Sequence, residues 1–126
     1  MSKKIIQTND APAPIGPYSQ AVLAGNMLFI SGQIALIPGT SDLNNSDIAS
    51  EANQVMKNLQ SILQSSSAEF SHVVKTTIFL SDMSLFAEVN EIYGQYFDSH
   101  YPARETVAVK GLPKNVHIEI SMIAFI

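Results

Sequence analysis

The chain has no cysteine, and Arg104 is its only arginine. Without cysteine there can be no structural disulfide, no thiolate nucleophile and no cysteine-ligated zinc or iron–sulfur centre. Nowhere do about 18 apolar residues run together, so no segment reads as a bilayer span. The opening "MSKKIIQTND" carries two lysines but no apolar core of signal-peptide length, and a cytoplasmic protein is expected. Positive charge is also scarce: seven basic residues against eleven acidic give a net charge of -4. The lysines at 3, 4, 57, 75, 110 and 114 are scattered rather than gathered into a phosphate-binding field, so nucleic acid is not expected as a partner. What the chain does have is 126 residues with 46% hydrophobic content, enough for one domain over 1–126 whose core needs no covalent or metal staple.

Hydrophobic periodicity divides this domain into elements. "SQAVLAGNMLFISGQI" (19–34) reads as two strands joined at Gly25-Asn26, a dipeptide suited to a tight hairpin. After a polar loop, Ile48, Ala52, Val55, Met56, Leu59, Ile62 and Leu63 recur at steps of three and four, predicting an amphipathic helix of about five turns capped by Asp47. "HVVKTTIFL" (72–80) is short and β-branched, a strand. A second helix starts near Asp82 or Ser84, carries Phe86, Val89, Tyr93, Tyr96 and Phe97 on one stripe, and ends before Pro102. Strands over about 105–111 and 116–126, separated by the turn signal "LPKN", finish the chain. The alternation implies helical crossovers between parallel neighbours and antiparallel hairpins at either end, hence an α+β mixed sheet with both helices on one face. No third helix remains to bury the other face, so a partner subunit is expected there.

Four polar positions stand out. In "VHIEISMIAFI" the even residues 116–126 form an apolar face, while the odd face reads His117, Glu119, Ser121, Ile123, Phe125. Glu119 therefore either faces water at the sheet margin or enters a buried strand, where a carboxylate needs a partner or a purpose. Asn90 falls on or beside the stripe of the second helix, as a stripe-edge or capping residue or as a functional amide. Ser31 and Gly32 interrupt an apolar strand, through a bulge or through close approach of another group. Arg104 follows Pro102; its guanidinium suits either an ion pair with Glu105 or Glu119 or two-pronged capture of a carboxylate. The histidines His72, His100 and His117 lack ligand spacing, so no metal site is expected, and no GxSxG, P-loop or GxGxxG motif occurs.

The ordered set "GPYSQAV", "SGQI", "KTTIFL" with "VNEIY", "PAR" and "LPK" with "IEI" closely resembles the RidA/YjgF family of reactive intermediate deaminases over essentially the whole chain. The resemblance implies a chorismate-mutase-like α+β fold assembled as a homotrimer with clefts at subunit interfaces. It also implies cofactor-independent hydrolysis of 2-enamine and 2-imino acids, such as 2-aminoacrylate, to 2-keto acids and ammonia. By matched motif, Arg104 would hold the substrate carboxylate and Glu119 would position or activate water. Tyr18 and Ser31 would line the cleft, the backbones of Gly32 and Thr106 would bond substrate, and Asn90 would form a wall. Glu105 and Thr106 depart from the commoner family forms, Glu105 as either a partner of Arg104 or a rim charge. A ligand-binding regulator that has lost turnover, and an endoribonuclease or translation inhibitor, are the competing readings. Retention of both Arg104 and Glu119 favours catalysis, and the charge of -4 disfavours RNA.

Overall fold

A computed structural model describes residues 2–126. Six strands, β1 (Lys4–Ile6), β2 (Ala21–Ala24), β3 (Met27–Gln33), β4 (Val73–Leu80), β5 (Ala103–Ala108) and β6 (Ile118–Phe125), form one sheet in the order β1-β2-β3-β6-β4-β5. Helices α1 (Ile48–Ser65) and α2 (Phe86–Gly94) pack on the same side of it. Among the described residues no helix is long and apolar enough to cross a membrane.

The local chemistry explains most boundaries. Gly25 takes φ +59° in the turn between β2 and β3, a conformation open to glycine at no steric cost. The Asp47 carboxylate accepts the Ser50 amide at 2.7 Å and starts α1, and the expected apolar stripe of that helix is buried from Ala52 onward, with Ile48 half-buried at its start. Asp82 accepts the Ser84 amide and opens a 3-10 turn, Met83–Leu85, that leads into α2. Even residues of β6 are buried beneath the helices, as their alternation predicts.

Two expectations are corrected and one strand is added. The N-terminal β1 has too few residues to announce itself and exists because it pairs with β2. Helix α1 does not join parallel neighbours: β6 lies between β3 and β4, antiparallel to both, so only β4 and β5 are a parallel pair. For the same reason the last two strands are not a hairpin, and β5 is an edge strand covering 103–108 instead of 105–111.

The second sheet face carries an uncovered apolar patch. Phe29 and Val107 are each 45% exposed and Phe125 55%, with Ile123 and Phe79 half-buried between them. Aromatic side chains carry a large transfer free energy, so a face of this composition favours contact with another apolar surface.

Candidate functional site

Strand register separates the candidate residues into two groups. Thr76 of β4 pairs with Arg104 of β5, and Phe79 of β4 pairs with Glu119 of β6. Paired residues on neighbouring strands share a face, whereas residues three apart along one strand lie on opposite faces. Thr76 is fully buried and accepts the Tyr93 hydroxyl of α2 at 2.9 Å, which fixes its face as the helix side. Arg104 is therefore on the helix side and Glu119 on the open side. Within one chain they cannot meet.

The first group surrounds Arg104. Its guanidinium carbon lies 5.2 Å from the Tyr93 ring centre and 5.6 Å from that of Phe86, a cation between two aromatic faces. Among the described residues no carboxylate pairs with it: Glu105 instead points to the open face and meets the Lys75 ammonium at 2.7 Å. The stacking holds the fork while leaving its N–H donors free. Asn90, Tyr93, Gly94, Tyr101 and Pro102 complete a hollow of about 240 Å³ around it. Burial pushes the Tyr93 phenol up, partly offset by the Thr76 hydrogen bond and the Arg104 charge, so this wall stays neutral at physiological pH. Thr106 pairs with Ile78 and shares the side of Arg104; its hydroxyl is buried without a partner. This orphan group escaped the sequence reading, which gave that residue only a backbone role.

The second group gathers at Glu119. Ile15, Tyr18, Ser31, Gly32 and Pro113 line a hollow of about 280 Å³ with it. The register of β3 against β6 shifts between Ile30 and Gln33, so Ser31-Gly32 is a bulge. It is also a close approach: a Cβ on Gly32 would sit 2.8 Å from Glu119 Cδ. The Ser31 hydroxyl donates to the Ser19 carbonyl at 2.6 Å, and the Tyr18 hydroxyl accepts the Ile15 amide at 3.1 Å, which ties the loop before β2 to the cleft. Burial raises the Glu119 pKa above the ordinary carboxylate value, and the opposing effect of Arg104 is absent within the chain because the sheet intervenes.

Gln20 of the "GPYSQAV" motif has a structural role. It is buried, accepts the Thr8 amide at 2.8 Å, and donates to the carbonyls of Thr8, Ala11 and Pro12. It therefore holds the segment 8–12 in place, and Pro12 and Gln20 border a pocket together with Gly32 and Glu119. Gln20→Ala is expected to destabilise the protein by about 2 kcal/mol in urea unfolding, because several backbone groups lose their partner at once. A change under about 0.5 kcal/mol would show that water replaces the amide.

A family model described as "Endoribonuclease L-PSP" matches residues 8–126. The chain is 47% identical over 122 residues to human 2-iminobutanoate/2-iminopropanoate deaminase, covering 97% of this chain and 89% of that protein. Among solved structures it is similar to RidA from the Antarctic bacterium Psychrobacter sp. PAMC 21119, with TM-score 0.94, 40% identity and coverage of 98% and 99%. The structure of E. coli TdcF with bound serine gives TM-score 0.92, 40% identity and 98% coverage of each chain.

Proposed function

Because the chain belongs to the RidA/YjgF family, whose model covers residues 8–126, we propose that it hydrolyses 2-imino and 2-enamine acids to 2-keto acids and ammonia. The observation that carries this reading is the pair of complementary half-sites, a cation with free donors on one sheet face and a half-buried carboxylate on the other. They form one cleft when the Arg104 side of one subunit meets the Glu119 side of the next. Each subunit then lends a different surface to each neighbour, and such a contact makes a ring where its rotation closes. A homotrimer satisfies this and covers the apolar patch of the sheet.

In the cleft, Arg104 binds the substrate carboxylate with two charge-assisted N–H bonds, roughly 1.5 to 3 kcal/mol each. The overall charge of -4 repels an anion, so capture is local. Glu119 takes a proton from water as its oxygen bonds to C2, and the C=N electron pair moves to nitrogen. Glu119 returns that proton to the nitrogen and then passes it the proton of the new C2 hydroxyl, so that ammonia leaves as the C2 carbonyl forms. An enamine enters the same path after protonation at C3. The imine is already an electrophile, so orientation and proton transfer suffice. The serine in the E. coli TdcF structure supports a small ligand that carries a carboxylate. A regulator that only senses a carboxylate needs Arg104 but gains nothing from a second carboxylate beside its anionic ligand.

The test couples a dehydratase that releases 2-aminoacrylate to pyruvate formation, with the mass of the assembly read by sedimentation. The expected result is a trimer that accelerates pyruvate release above the buffer rate. A trimer without acceleration that binds 2-keto acids would favour the regulator, and salt-dependent RNA cleavage would favour the nuclease.

A further inference from the structure

Glu51 is the one charged side chain among the described residues with no exposure at all, and the proposed chemistry does not touch it. It sits in the first turn of α1, where the helix dipole favours negative charge, yet its neighbours Ala52 and Val55 are core residues. Taking a carboxylate out of water costs several kcal/mol unless its lone pairs are filled. Here they are: Oε2 accepts the His117 amide at 2.8 Å and the Ile118 amide at 3.0 Å, while Oε1 meets His117 Nδ1 at 2.9 Å.

Those two consecutive amides lead directly into Glu119. On the opposite side, the His117 carbonyl accepts the Ser81 amide at 2.9 Å, and Glu119 pairs with Phe79. The start of β6 is thus held from α1 and from β4 together. Beyond it, the Glu119 side chain lies across Gly32 with no room for even a methyl group between them. A strand held this tightly transmits a small shift at 117–118 to the carboxylate, and displacement of a reacting group by about 1 Å can cost on the order of 10² in rate.

We propose that Glu51 is a positioning residue for Glu119, setting through the His117 and Ile118 amides the place and direction at which that carboxylate enters the cleft. This rests on the reading of Glu119 as the water-activating group. An apolar residue would pack as well against β6, but it would leave both amides unpaired. A glutamine keeps one oxygen for both amides and offers its N–H to the imidazole, so the geometry predicts that charge matters less than acceptor placement.

The assembled full-length protein is compared with its Glu51→Ala, Glu51→Leu and Glu51→Gln variants, leucine preserving volume should alanine fail to fold. For the alanine or leucine variant, kcat for 2-aminoacrylate should fall about 10- to 100-fold with KM within about twofold, since Arg104 is untouched. The glutamine variant should recover to within about threefold of wild type. The Glu119 side-chain carboxyl resonance should move in the alanine or leucine variant and stay in place for glutamine. A folded alanine or leucine variant with unchanged kcat and an unmoved resonance would overturn the proposal, as would equal losses in kcat for leucine and glutamine. If wild type itself shows no hydrolysis, the deaminase reading fails, and the Glu119 resonance alone still decides whether Glu51 places that carboxylate.

Discussion

Arg104→Ala is expected to lower kcat/KM for a 2-imino acid by about 10² to 10⁴, the loss of two charge-assisted bonds to the substrate carboxylate. Folding should survive: the guanidinium makes no ion pair among the described residues, and its stacking on Phe86 and Tyr93 contributes about 1 kcal/mol or less per ring. Arg104→Lys keeps the charge but not the fork, and should recover only part of the loss, mainly in KM. Thermal unfolding run beside the kinetics separates the two effects. Full activity in the alanine variant would remove Arg104 from the site and the hydrolase reading with it. By contrast Glu105→Ala should change little in kcat/KM, because Glu105 faces away from Arg104 and pairs with Lys75 instead.

Glu119→Gln should cost about 10² to 10⁴ in kcat with a smaller change in KM, the usual range for loss of a general acid-base group. The sign of the pH dependence follows from burial, which raises the Glu119 pKa and so favours its protonated form. A general base must be ionised, so wild-type kcat should rise with pH as Glu119 loses its proton, and burial by itself sets that limb above the ordinary carboxylate range. The partner subunit's arginine in the closed cleft moves that limb down, and Arg104→Ala should move it back up. In Glu119→Gln this limb should vanish. Stability runs the other way: the folded state keeps its proton to higher pH than the unfolded chain, so the contribution of Glu119 is present at low pH and is lost as pH rises through the raised value.

The two inactive variants also test the shared cleft against a cleft built within one chain. Mixed in equal amounts and allowed to reassemble, Arg104→Ala and Glu119→Gln subunits should regain activity. With random exchange, about a quarter of the interfaces bring an intact arginine from one subunit to an intact glutamate from the other. No recovery after exchange, verified by mass spectrometry of the mixed trimers, would show that both groups act from the same chain.

The sequence by itself determined what depends on neighbours close along the chain. The Asp47 cap, the three-and-four spacing beneath α1, the Gly25-Asn26 turn and the apolar even face of β6 are short-range consequences of side-chain direction and backbone sterics. The motifs around Tyr18, Ser31, Asn90, Arg104 and Glu119 pointed to a family, and its model matches residues 8–126. Strand pairing was different, because alternation tells which residues share a face of one strand but not which strand lies beside it. Only the insertion of β6 between β3 and β4, and the registers Thr76 with Arg104 and Phe79 with Glu119, decided that the two proposed catalytic groups lie on opposite faces. The same long-range pairing turned Glu105 toward Lys75 and brought Glu51 under the start of β6, 66 residues away along the chain. Such contacts are chosen by burial summed over the whole sheet and helix layer, which no local pattern contains.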